Sequence, residues 1–151
     1  MTRDTRQDGA DRAEIDRVYS ELERVSRRAV ARARRRSAPL SFVEHSLVTF
    51  IATHPGCRAV DIAADFGLNR STVSRQLAGL LELGLVSTGG EGEADGRRGQ
   101  VLSLTPRGDE LLARSTEANR AALAETLGEW RPAEIADLAA ALRRLNSAFE
   151  G

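Results

Sequence analysis

Lysine is missing from this chain. All 22 basic residues are arginine, and 22 acidic residues balance them, so the formal net charge is zero. A neutral chain has no overall field that draws in a polyanion, and any such attraction must come from how charge is arranged locally. Every cationic contact falls to a planar group with several donors, which suits phosphates and base edges. A single cysteine, Cys57, excludes an internal disulfide. Aromatic residues are scarce, with one Tyr, one Trp and four Phe. The core must therefore rest on Leu, Val, Ile and Ala, a composition that suits helices. No apolar run reaches the roughly 20 residues needed to cross a bilayer, and no signal-peptide pattern opens the chain, so a cytoplasmic location is expected. Glycine-rich phosphate loops, nucleophile elbows and paired catalytic carboxylates are absent as well. The chain is expected to be no enzyme and to carry no cofactor. Its 151 residues suffice for one domain with a real core.

What is present is mostly helical periodicity. Residues 1–10 are polar and read as a disordered tail. Ile15, Val18, Tyr19, Leu22, Val25, Ala29 and Val30 then recur at helical spacing, predicting a first helix over 11–36 that ends in Arg32, Arg34, Arg35 and Arg36. Ser41 and Glu44 have the spacing of a capping box, which starts a second helix that stops at His54-Pro55-Gly56. A short third helix is predicted over 59–66, with Gly67 as its C-terminal turn. The fourth, over 70–83, carries the buried-face stripe Val73, Leu77, Leu80 and Leu81, and Gly84 ends it. Residues 85–88 and 100–104 read as paired strands around a tip with five glycines in eleven residues. Thr105 and Pro106 start a fifth helix, and Pro132 a sixth with the stripe Ile135, Leu138, Ala139, Leu142, Leu145 and Phe149. The expected fold is mainly α with a small β-hairpin wing. A winged helix-turn-helix over 40–105 is flanked by a helical dimerisation region, 11–36 and 106–151. The compact centre is too small to cover the apolar faces of the first, fifth and sixth helices, and a second copy of the chain can cover them.

The fourth helix carries the chemistry. Asn69 is placed to cap it. At 100° per residue, Ser71, Thr72, Arg75, Ala78 and Glu82 fall opposite the apolar stripe, with Arg70 and Ser74 on the flanks near the N-terminus. Small and hydroxyl side chains let such a face sit deep in a major groove. Arg75 is the best direct reader, since a guanidinium bonds guanine O6 and N7 together. Arg70 and Ser71 are better placed for phosphate, beside the helix N-terminus. Glu82 repels phosphate, yet it lies about 10 Å beyond Arg75, where the helix should be leaving the groove. In the hairpin, Arg97 and Arg98 are the residues able to enter a narrow, A·T-rich minor groove. Asp95 stands where it can fix the Arg97 guanidinium by a charge-assisted bond.

Residues 40 to 108 resemble the MarR family of dimeric bacterial transcription regulators. The resemblance is carried by Asp61-Ile62-Ala63, by Leu68-Asn69-Arg70-Ser71-Thr72-Val73-Ser74-Arg75, and by Leu80-Leu81-Glu82-Leu83-Gly84-Leu85-Val86. Asp95-Gly96-Arg97 and Leu102-Ser103-Leu104-Thr105-Pro106-Arg107-Gly108 complete it. It implies a triangular homodimer whose terminal helices pair. The two recognition helices would enter successive major grooves of a pseudo-palindromic double-stranded operator. It further implies repression relieved by a small aromatic or anionic ligand, held between the dimer helices and the winged domain. Two departures stand out. Asp95 and Thr105 are one residue further apart than the family usually has them. Either the wing has an extra residue or Arg98 takes the minor-groove role of Arg97. Arg58 stands where the third helix usually has a Ser or Thr cap. A regulator without a ligand, one that activates, or a winged-helix scaffold that does not read DNA are the competing readings.

Other candidates are weaker. Some members of the family sense peroxide with a first-helix cysteine, and this chain has none there. His54, Cys57 and Asp61 make a thin metal set without a CxxC pair, so no metal is expected. His45, on the second helix, is a candidate for lining a ligand pocket.

Overall fold

The computed structural model describes residues 5–35, 39–89 and 99–149. The chain divides into two units, 1–112 and 113–151. In the first unit, α1 (Thr5–Arg35) precedes a three-helix group of α2 (Phe42–Thr53), α3 (Ala59–Asp65) and α4 (Arg70–Glu82). A hairpin of β1 (Val86–Thr88) and β2 (Leu102–Leu104) follows, and then α5 (Pro106–Thr126), which runs on into the second unit. That unit also holds α6 (Pro132–Phe149). The order and type of every element match the sequence expectation. Most boundaries agree to within two residues, and the start of α1 does not. The 1–10 stretch read as disordered is helical from Thr5 onward. Polarity alone does not stop a helix; the segment has no proline, and extending an existing helix needs no new nucleus. Residues 1–4, and Arg36 at the other end of the expected helix, lie outside the described residues.

The winged domain is built around α4. Val73, Leu77 and Leu80 are buried on one of its faces and meet Leu47, Val48 and Ile51 from α2 and Ile62 from α3. Fully burying such a side chain stabilises the fold by about 1.5–3 kcal/mol. Leu85, Val86 and Leu102 close the core from the hairpin side. The strands pair antiparallel in the register Val86↔Leu104, Ser87↔Ser103 and Thr88↔Leu102. Leu102 N also donates to Cys57 O at 2.9 Å, so the loop before α3 lies along the far side of β2.

The helix ends explain the turns. Ser41 N donates to Glu44 Oε2 at 2.7 Å and Glu44 N to Ser41 Oγ at 3.3 Å, the two halves of a capping box. Helices α3 and α4 stop in the same way. Leu68 N bonds Ala63 O and Gly67 N bonds Ala64 O; Leu85 N bonds Leu80 O and Gly84 N bonds Leu81 O. This paired pattern needs one residue in the left-handed region, and Gly67 (φ 60°) and Gly84 (φ 67°) supply it.

Past Gly84 the chain is received by the start of α5. Thr105 N donates to Leu85 O at 3.0 Å, and Thr105 Oγ1 donates to Gly84 O at 2.7 Å. The same hydroxyl accepts from Gly108 N at 3.0 Å, which caps α5. Gly108 lies so close to the Leu85 carbonyl that a Cβ there would collide with backbone. Gly79, in mid-α4, is the opposite case, since a Cβ there meets nothing within 4 Å. Denaturant unfolding should therefore give opposite signs for two chemically identical changes. Gly108→Ala should cost about 1–3 kcal/mol or more through overpacking. Gly79→Ala should add about 0.5–1 kcal/mol through helix propensity.

Candidate nucleic-acid interface

The face of α4 opposite its buried stripe is open. Asn69, Arg70, Ser71, Ser74 and Arg75 are exposed and Thr72 is half-buried. Asn69 is the cap expected from the sequence, its Oδ1 accepting from Thr72 N at 2.9 Å. The same oxygen accepts from the Ser71 hydroxyl at 2.9 Å. Ser71 was assigned to phosphate from its place on the wheel; to donate there it must first release Asn69, so in the free chain its hydroxyl belongs to the cap. Arg75 lies back along the helix, its Nε donating to Ser71 O at a long 3.4 Å. So weak and exposed a bond holds the guanidinium little.

Beside the start of α4 lies an open groove of about 660 Å³, lined by Arg58, Asp61, Arg70, Gly99 and Gln100 over an apolar floor of Ala59, Val60 and Ala64. Here the cap of α3 is settled. Arg58 is the N-cap residue, and Asp61 Oδ2 accepts from its backbone amide at 2.8 Å. The Arg58 side chain is no acceptor and contributes nothing to that cap. It is nevertheless 3% exposed, with its Nε donating to Gly99 O at 3.1 Å. Sequence reading treated Arg58 only as a poor cap, and no local pattern announces a contact spanning 41 residues. Asp95, Arg97 and Arg98 lie outside the described residues.

Three further candidates find places. His54 stacks on Phe50 with ring centroids 4.0 Å apart, and its Nδ1 is 2.9 Å from Phe50 O. Asp61 serves the α3 cap, and Cys57 is buried. No group of three metal-ligand side chains occurs among the described residues. Burial, then the Asp61 charge, push the Cys57 thiol pKa up against a smaller backbone hydrogen-bond effect, so the reactive thiolate is disfavoured. His45 is half-buried on α2, as is Thr49 one turn later on the same face. Thr49 Oγ1 is buried without a hydrogen-bond partner among the described residues. Sequence reading passed over Thr49; its spacing of four from His45 was the available signal.

Residues 38–98 match the model of the MarR family. That segment is similar to the MarR family. MarR-family proteins are DNA-binding transcription regulators. The MarR-type fold extends beyond the matched segment. The transcriptional regulator BldR from Sulfolobus solfataricus is 20% identical, with a TM-score of 0.74 over 89% of this chain and 96% of its own. RV1404 from Mycobacterium tuberculosis is 22% identical, with a TM-score of 0.72 over 90% and 94%. The PcaV transcriptional regulator from Streptomyces coelicolor, solved in complex with its natural ligand, is 21% identical, with a TM-score of 0.65 over 84% and 89%. At these identities the likeness is one of fold. No curated protein sequence matches the chain. Among the described residues no helix is long and apolar enough to cross a membrane.

The burial of His45 sets a pH dependence. Desolvation lowers its pKa from the ordinary value of about 6.5. The unfolded chain then takes up a proton at a higher pH than the folded one. Stability from this group is complete above about pH 6.5 and falls as pH drops from there toward the lowered folded value. Thermal melts across that range should show the decline in the wild type and a flatter profile in His45→Gln. An identical slope in both would remove His45 as its source.

Proposed function

We propose that this chain is a sequence-specific, double-stranded-DNA-binding transcriptional regulator that acts as a cytoplasmic homodimer and represses until a small ligand releases it. The observation that carries the DNA reading is α4 itself. Its stripe is buried, its N-terminus is capped by Asn69, and Arg75 stands exposed and weakly held on the outer face. In this reading Arg75 reads base edges, Arg70 and Ser71 sit against phosphate beside the Asn69 cap, and Thr72 and Ser74 line the groove face. Arg97 or Arg98, with Asp95 beside them in sequence, serves the minor groove.

The dimer reading is supported by apolar faces that stay exposed among the described residues. On α1, Ile15, Val18, Tyr19, Leu22 and Val25 are exposed; in the second unit so are Leu123, Ile135, Leu138, Leu142 and Phe149. Stripes of this length on soluble helices mark association surfaces. A second copy, paired through α1, α5 and α6, covers them and presents two α4 helices to half-sites about one helical turn apart in a pseudo-palindromic operator. The ligand reading is supported by the half-buried pair His45 and Thr49 and by PcaV, which was solved with its natural ligand. A small aromatic anion suits an imidazole and an unpartnered hydroxyl on an apolar helix face.

Binding to duplexes selected from a random pool tests the base-reading role. Arg75→Ala should lose about 1–3 kcal/mol per half-site and relax base preference at one position. Unchanged affinity and preference would remove Arg75 as a reader, and a wild-type chain that selects no duplex would favour a protein-interaction scaffold. Sedimentation tests the assembly independently. A dimer is expected at micromolar concentration, and a monomer there would exclude the paired half-site arrangement.

A further inference from the structure

We propose that Arg58 is a positioning residue for the wing. Its buried side chain ties the first turn of α3 to Gly99 at the root of the wing, and so sets the level at which the wing meets DNA. The DNA half of this proposal rests on the reading above.

Arginine is rarely buried unless it is held by partners. Arg58 is 3% exposed and is the only buried charged residue among those described. Its two ends do different work. The backbone amide gives its hydrogen bond to Asp61, so the cap that Ser or Thr would supply comes from three residues further on. That leaves the side chain at 58 unneeded for the cap, and its Nε reaches Gly99 O at 3.1 Å. Ser and Thr are too short for this reach. A guanidinium has five donors in a rigid fork, which makes it suited to fixing a loop carbonyl in place.

Gly99 is built for the contact. Its φ of 108° lies where side chains are strained. Space is not the restriction, because a Cβ there would make ordinary contact with Arg58 Cδ at 3.9 Å. Three residues later the neighbouring Cys57 carbonyl accepts from Leu102 N at 2.9 Å. Two consecutive residues thus hold the returning arm of the hairpin at two points. The side chain that stands in place of the usual α3 cap is thus the one that holds Gly99. A tie at Gly99 fixes where the returning arm enters β2. Arg98, one of the two wing arginines proposed for the minor groove, directly precedes Gly99 in the sequence.

Two variants of the full chain test the tie. Arg58→Ser restores a side-chain cap to α3 and loses the reach to Gly99; Arg58→Met fills the volume without a donor and decides the matter if the serine variant fails to fold. In the free protein, amide relaxation and hydrogen exchange should show Gln100 and Val101 loosened while the α4 amides keep their protection. On a selected duplex, hydroxyl-radical footprinting should lose the flanking minor-groove protection and keep the half-site protection, with affinity down roughly tenfold. Amides as ordered as in the wild type would overturn the tie. Loosened amides with an unchanged flanking footprint would overturn its role in DNA binding. A wild type that footprints no selected duplex would overturn that role together with the proposed function, while the amide measurement still decides the tie.

Discussion

Leu85 is the residue through which the winged domain is assembled. Its side chain is 1% exposed in the core, its amide closes α4 by bonding Leu80 O, and its carbonyl receives Thr105 N. The end of α4, the approach to β1 and the start of α5 therefore share one peptide unit on each side. A buried backbone carbonyl must find a donor, and here it finds one that also begins the next helix. Gly108 is glycine because α5 comes in so close to that carbonyl. A shift of α4 along its axis would have to break this junction or carry the first turn of α5 with it.

The opposite end of α4 is arranged more loosely. Asn69 Oδ1 satisfies both an amide and the Ser71 hydroxyl, and the polar residues around it are exposed. The helix is thus rigid where it leaves the core and adaptable where it would approach a ligand. Specific contacts are most precise when a firm scaffold carries side chains that can still choose a rotamer, and α4 has that division along its length. Arg58 extends the firm part sideways, toward the hairpin.

Much of this was legible in the residues. Apolar spacing fixed six helices, and the short-range capping chemistry of Ser41, Asn69 and Thr105 placed three helix starts where they occur. Local signals read well because each cap is satisfied within three residues. The failures share a cause too. Polarity at residues 5–10 was taken for disorder, though a helix already nucleated downstream can extend through it. Arg58 looked like a poor cap because its partner Gly99 is remote in sequence, and tertiary contacts leave no periodic trace.

The single cysteine gives this molecule a gauge of its own motion. Cys57 is buried, its thiolate is disfavoured, and its carbonyl is joined to the wing strand through Leu102. With no second thiol in the chain, any sulfur chemistry reports one place. That sulfur becomes reachable only when the core around it opens. Native breathing of this core can therefore be timed with no label added and no residue changed.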